Sequence, residues 1–152
     1  VRYRGPAVAE SFHLDAEASV EAFRDGWFYP GDIGKLDSDG RLYLVGRAKD
    51  VIIRAGVNIY PGEIEQVLLS HPIVHDAAVV AWPSPMMGEE IAAYVVTDSN
   101  FDLTDLEAHC RAQLASYKIP RRIFTLTELP KSPLGKVLKA DLAAQLPALD
   151  GD

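Results

Sequence analysis

The sequence predicts an α+β fold: a short sheet flanked by helices, preceded by a β-rich arm. Three observations carry that expectation. An Asp-Gly turn separates two alternating segments early in the chain, short β-rich runs recur later, and apolar residues at helical spacing lie between those runs. At 152 residues and 16.6 kDa there is room for one ordinary domain, or for a small domain with a piece of another attached. A full two-domain enzyme does not fit. With 48% hydrophobic and 24% charged residues the composition is globular, and a chain of this length buries about 70% of its unfolded surface without needing staples.

Ala16 to Arg24 places Val20 and Phe23 at helical spacing among Glu17, Glu21 and Arg24, and Asp25-Gly26 ends that helix. Asp32 to Leu36 and Arg41 to Val45 flank Asp37-Ser38-Asp39-Gly40, whose Asp-Gly pair suits the positive φ angles of a hairpin turn; Leu42 and Leu44 alternate with Arg41 and Tyr43. Gly46 to Asp50 interrupts the alternation with a glycine and three charges before Val51-Ile52-Ile53 restarts a strand, so a boundary between folding units is expected there. From Asn58 to Ser70 a helix is expected, with Pro61 in its first turn, Glu63 and Glu65 near the positive end of its dipole, and Pro72 beyond its end. Ala77 to Trp82, Ile91 to Thr97 and Arg122 to Leu126 read as strands. Between the last two, Thr104 is expected to cap a helix from Asp105 to about Ala115, with Glu107 as its capping-box partner and Leu106, Cys110 and Leu114 on one face. A final helix is expected from Lys136 to about Gln145.

Net charge is −7, which argues against a general nucleic-acid binder, since such proteins turn excess cations toward phosphates. The distribution is uneven. No lysine or arginine occurs from Ala55 through Cys110, whereas Lys118, Arg121, Arg122, Lys131, Lys136 and Lys139 crowd one later stretch against Glu128 alone. Such a segment fits either a small polyanion or a solvated basic face. The single Cys110 cannot close an internal disulfide and reads as a small buried hydrophobe, which fits a reducing cytoplasm. No apolar run reaches the ~18 residues of a membrane span, and no signal peptide opens the chain. A first residue other than methionine, inside an apparent strand, is expected of a processed or truncated product. His71 and His75 have the spacing of a zinc pair, but Pro72 between them prevents the continuous helix that would align both rings. His13 and His109 lack partners at ligand spacing, the Met86 to Glu90 stretch reads as a loop tip without special role, and Trp82 reads as core.

Three blocks carry the chemistry. They are Trp27-Phe28-Tyr29-Pro30-Gly31-Asp32; the long run from Gly46-Arg47-Ala48-Lys49-Asp50 through Arg54-Ala55-Gly56-Val57-Asn58-Ile59-Tyr60-Pro61-Gly62-Glu63-Ile64-Glu65; and Pro130-Lys131-Ser132-Pro133-Leu134-Gly135-Lys136-Val137. In this order and separation they resemble the C-terminal signature motifs of the adenylate-forming superfamily, which comprises acyl-CoA and aryl-CoA synthetases, peptide-synthetase adenylation domains and luciferases. The resemblance runs from about Val1 to Leu142 and lies closest to the acyl-CoA synthetases. It implies that residues 1–48 are the tail of a larger N-terminal domain, residues 49–146 a small mobile C-terminal domain, and residues 147–152 a flexible tail.

The resemblance also implies roles. Asp32 would bind the ribose hydroxyls of ATP or AMP with help from Arg47; a carboxylate after a glycine turn can accept two such hydrogen bonds. Lys136 would contact the carboxylate substrate and the α-phosphate as the acyl-adenylate forms, neutralising charge that grows in the transition state. Lys49 matches the hinge about which the small domain swings between adenylating and thioester-forming poses. Gly56, Val57 and Asn58 match the loop that lines the tunnel for the pantetheine arm of CoA, where a residue without Cβ permits close approach. ATP with Mg2+, CoA and a carboxylic acid would be substrates of the complete enzyme, with no metal bound by this chain and its own N-terminal domain as partner. Pro30, where threonine is common, and Leu134, where a small or hydroxylated residue is common, depart from the pattern beside the reactive groups.

No Walker-type Gly-Lys-Ser/Thr and no glycine-rich phosphate loop occur, so the triphosphate grip is expected outside this chain. The implied reaction is ATP-dependent acid:CoA ligation, inactive in this portion alone. Loading of a carrier protein by an adenylation domain, and a non-catalytic interaction module, are the alternatives.

Overall fold

A computed structural model describes residues 1–98 and 102–149, and the chain divides into two compact units, Val1–Lys49 and Asp50–Asp152. In the first unit α1 (Ala16–Ala22) starts where the Asp15 carboxylate accepts the Ala18 amide at 3.0 Å, a capped N-terminus. The helix is shorter than its pattern predicts. Phe23–Arg24 leaves it as β1 to pair with β2 (Trp27–Phe28) across Asp25-Gly26, both at positive φ, the two-residue turn whose twist matches a hairpin. Stacking of Phe23 on Phe28 at 4.8 Å, with Phe12 edge-on to Phe23 at 5.1 Å, drew that residue out of the helix.

β3 (Asp32–Leu36) and β4 (Leu42–Arg47) form the expected hairpin with a bulge at Ile33/Gly34. Only Gly40 of the Asp-Gly pair takes positive φ, because the Gly40 amide closes a turn onto the Asp37 carbonyl at 3.1 Å. The Asp37 carboxylate holds this turn by accepting the amides of Arg41 at 2.8 Å and Asp39 at 3.0 Å and the Tyr43 hydroxyl at 3.1 Å. Leu42 and Leu44, which alternate with Arg41 and Tyr43, are exposed, as is Leu36.

The second unit is built around two long strands. β7 (Val74–Ser84) and β8 (Gly88–Thr97) pair antiparallel from Val74↔Thr97 to Ser84↔Gly88, and β9 (Arg122–Leu126) adds in parallel to β8. Pro83 to Gly88 is thus mostly strand and tight turn rather than the long loop its prolines predict. At the start of β8 a small hairpin, β5 (Ile52–Arg54) with β6 (Val57–Ile59), joins through a single backbone pair, Arg54↔Gly88. β6 occupies residues expected to belong to a loop and to the first turn of a helix; α2 runs only over Pro61–Leu69, with proline where its missing N–H costs nothing.

Both faces of the sheet are buried, and alternate residues sort between them. Val79, Ile91, Ala93 and Val95 meet Ile64 and Leu68 of α2 and Leu106 and Cys110 of α3 (Leu103–Gln113). Ala78, Val80, Trp82, Ala92 and Tyr94 face Leu129 and Leu142, the latter on α4 (Lys139–Ala144). Asp102, two residues earlier than the predicted Thr104, caps α3 through the Thr104 amide at 2.9 Å. Glu107, expected as the capping-box partner, instead pairs with Arg111 at 2.9 Å. Tyr94 donates its hydroxyl to the Leu142 carbonyl at 3.0 Å, and the Trp82 indole donates to the Pro147 carbonyl at 2.7 Å. Residues 150–152, half of the expected tail, lie outside the described residues.

Two outcomes are expected of this packing. Leu106→Ala deletes a fully buried side chain where α3 meets the sheet and lowers unfolding free energy by about 2–5 kcal/mol in urea titration, whereas the exposed Leu69→Ala changes it by about 0.5 kcal/mol or less. Equal effects would show that α3 does not carry the core. The Arg41 amide, with Tyr43 and the turn amides, holds the Asp37 carboxyl below its ordinary 3.8. Its contribution is therefore complete above that pH and is lost as pH falls through the lower folded value. Carbon-detected NMR titration should place the Asp37 midpoint below 3.8, and Asp37→Ala should remove that increment of acid sensitivity.

Candidate functional site

The register of β3 on β4 sets Asp32 directly opposite Arg47. Their side chains meet with Arg47 Nε 3.3 Å from Asp32 Oδ1, while a terminal guanidinium nitrogen donates to the Pro30 carbonyl at 2.7 Å. Nε is shut off from solvent and misaligned for a hydrogen bond, so the guanidinium is oriented mainly by Pro30. Gly31 at φ +81° makes the preceding bend, and its carbonyl accepts the Ala48 amide at 2.8 Å, tying both ends of the hairpin together. The carboxylate side chain is 25% exposed and the guanidinium side chain 37%. Among the described residues Arg47 is the only charged partner of the Asp32 carboxylate, which leaves carboxylate lone pairs open to hydroxyl donors from solvent or a ligand.

Lys136 does not begin a helix; α4 starts three residues later. It closes a tight loop in which Gly135 donates to the Ser132 carbonyl at 2.8 Å, Ser132 donates to the Lys136 carbonyl at 2.8 Å, and the Lys136 amide donates to Ser132 Oγ at 3.2 Å. A bridge between Lys131 and Val137 and the Leu138 to Pro130 carbonyl bond at 2.8 Å fix the base. Gly135 at φ +79° is what lets the chain reverse here. The amine is exposed and, among the described residues, makes no ion pair.

Its basic neighbours are different. Lys118 meets Glu63 at 2.6 Å, Lys131 meets Asp76 at 2.6 Å, and Lys139 meets Glu65 at 2.7 Å, while Arg121 lies 4.0 Å from Glu90. Four of the six cations of the basic segment thus fold back onto carboxylates of the cation-free stretch, while Arg122, its guanidinium over the Phe124 ring, and Lys136 stay exposed.

Lys49 sits exposed in a single 3-10 turn, Ala48–Asp50, at the junction of the two units. Gly56 occupies the second position of the β5–β6 turn at φ +80°, after Ala55 at φ +49°, and a Cβ built on it would meet nothing within 4 Å. Val57 and Asn58 follow on β6, both exposed, so the three expected CoA-loop residues form the tip of a hairpin rather than a strand-to-helix loop.

Sequence reasoning missed Glu90. Read as part of a loop tip, it lies on β8 with its side chain 3% exposed and accepts two hydrogen bonds from Arg54, at 2.7 and 3.1 Å. The available signal was its place between a glycine and an apolar strand. His71 is buried against Asp105 at 3.1 Å, and among the described residues no cluster of His, Cys, Asp or Glu can hold a metal ion. Cys110 is buried, and burial raises its thiol pKa, leaving it unsuited to nucleophilic work. An open groove of about 540 Å³ beside β9, lined by residues including Tyr94, Arg122, Phe124 and Gln145, contains none of the expected nucleotide-, hinge- or CoA-site residues.

Residues 63–136 match the family model of the AMP-binding enzyme C-terminal domain. The 2-succinylbenzoate–CoA ligase of Geobacillus kaustophilus is 42% identical over 146 residues, which make up 95% of this chain and 30% of that enzyme. The long-chain-fatty-acid–CoA ligase FadD13 of Mycobacterium tuberculosis is also 42% identical, over 87% of this chain and 26% of its own length. Among solved structures, o-succinylbenzoate CoA synthetase of Bacillus subtilis with its acyl-adenylate intermediate superposes with a TM-score of 0.88 at 38% identity, over 99% of this chain and 31% of that one. The same synthetase has been solved with ATP and a magnesium ion. The chain thus spans about 30% of the length of the relatives it matches. Residues 63–136 thus carry a C-terminal domain of the AMP-binding enzymes, and the chain's relatives are acyl- and aryl-CoA ligases of the adenylate-forming superfamily.

Proposed function

We propose that this chain is the C-terminal portion of an ATP-dependent acid:CoA ligase working in the cytoplasm, and that it requires its N-terminal domain for activity. In the first half-reaction a carboxylate oxygen attacks the α-phosphorus of ATP, the bond to the leaving pyrophosphate breaks, and acyl-adenylate forms. In the second the CoA thiol attacks the acyl carbon, AMP leaves with the former carboxylate oxygen, and the thiol proton passes to solvent.

The observation that carries this reading is the Lys136 ammonium. Among the described residues the other three lysines of the basic segment are tied to carboxylates, whereas Lys136 stands exposed without an ion pair on a hydrogen-bonded loop. A cation held that way keeps its charge for an external anion, here the carboxylate and α-phosphate oxygens. Asp32 receives the ribose hydroxyls, and Arg47, pinned by Pro30, orients it. Lys49 serves as the hinge, its exposed side chain free to follow a dihedral change. Gly56, Val57 and Asn58 line the approach of the pantetheine thiol. Magnesium accompanies ATP as a substrate of the complete enzyme, a reading supported by the Bacillus subtilis synthetase solved with ATP and a magnesium ion. The acid is set outside this chain: equal identity to a succinylbenzoate ligase and a long-chain fatty acid ligase supports a domain that does not select it.

In the full-length enzyme, Lys136→Ala should lower acid-dependent ATP–pyrophosphate exchange by about 100- to 1000-fold, as removal of one preorganised donor does elsewhere. Unchanged exchange would remove the assigned role. With CoA and a holo-carrier protein offered in parallel, thioester should appear on CoA; product on the carrier alone would replace the ligase reading with carrier loading.

A further inference from the structure

The β5–β6 hairpin is poorly held by the sheet ladder. Only Arg54↔Gly88 pairs it with β8, so the remaining restraint must come from other contacts. Ile52 and Ile59 anchor its base in the core, whereas Gly56, Val57 and Asn58 at its tip are exposed. Three contacts span the gap, all to the first residues of β8 or the turn before it. The Ala55 amide donates to the Met87 carbonyl at 2.8 Å, the Ile53 amide donates to Glu89 Oε2 at 2.6 Å, and the Arg54 guanidinium donates bidentately to Glu90. Arg54 also donates to the Tyr117 carbonyl at 3.2 Å, so its fork ties the hairpin to the segment after α3 as well.

We propose that Glu89 and Glu90 are positioning residues for thiol transfer, clamping the hairpin so that its tip presents a fixed wall to the CoA arm. The inference rests on the reading of Gly56 to Asn58 as the CoA-facing tip. A carboxylate buried on β8 and paired through a planar two-point fork fixes both the distance and the orientation of β5. The Glu89 carboxylate does the same for the Ile53 amide, which has no strand partner on that side. Neither side chain belongs to the adenylating groups, so loosening the clamp should affect the second half-reaction and spare the first.

The test uses the full-length enzyme and measures the half-reactions separately, as pyrophosphate exchange and as CoA-dependent release of AMP from preformed adenylate. Arg54→Lys keeps the charge but loses the fork, and Glu89→Gln weakens the surface contact while leaving the buried pair intact. Each should raise KM for CoA or slow thiol transfer by about tenfold, with pyrophosphate exchange within about twofold of wild type. Glu90→Gln should do the same where it folds; the other two variants decide the matter if it does not. Amide exchange at Ile53 should accelerate in Glu89→Gln. A parallel loss in both half-reactions, or none in either, overturns the clamp. Gly56→Leu reports on the underlying reading independently: thiol transfer unaffected by a side chain at the tip would show that the tip does not face CoA, whatever the clamp variants do.

Discussion

Burial of the β7–β8 pair on both faces is the constraint from which the second unit follows. Alternate residues of Ala77–Trp82 and Ile91–Val95 point to opposite sides, and both sets are apolar, so neither face can be left to solvent. One face takes α2 and α3, and the other takes α4 with Leu129. The connection from β8 through α3 to β9 is long enough to return in parallel, which places β9 along β8 beyond the point where β5 touches it. The hairpin of β5 and β6 is consequently left at one corner with a single ladder pair to β8, and the loop carrying Lys136 is left at the surface ahead of α4.

Charge is segregated along the chain and reunited in space. Residues 55–110 hold acids and no lysine or arginine, and residues 118–139 hold most of the unit's cations. Folding brings Lys118 to Glu63, Lys131 to Asp76 and Lys139 to Glu65. Half-exposed pairs of this kind add little stability each. Their greater effect is on electrostatic background, since neutralising these three leaves Lys136 as the segment's lysine without an ion pair among the described residues.

The strands and the α3 face were legible because their patterns are local. Arg122 to Leu126 is strand as its β-branched and aromatic residues require, and Leu106, Cys110 and Leu114 share a face as a 3.6 period requires. Element ends were less legible. Phe23 obeys helical spacing yet leaves the helix for an aromatic stack formed by residues from two other segments. β6 was hidden because its turn needs a positive φ at Ala55, a conformation alanine does not advertise. The candidate site divides in the same way. Asp32 opposite Arg47 follows from hairpin register and was readable, whereas the pairing of Glu90 with Arg54 spans 36 residues and depends on where two hairpins meet.

Glu65 has a consequence for solubility. β7 is an edge strand among the described residues, eleven residues long and rich in alanine and valine, a shape that invites a second molecule to add its own strand. The Glu65 carboxylate accepts the Val79 amide at 2.8 Å on that open side and is itself held by Lys139. One side chain on α2 therefore occupies the hydrogen-bonding position that an intruding chain would need, and guards the most aggregation-prone border of the domain.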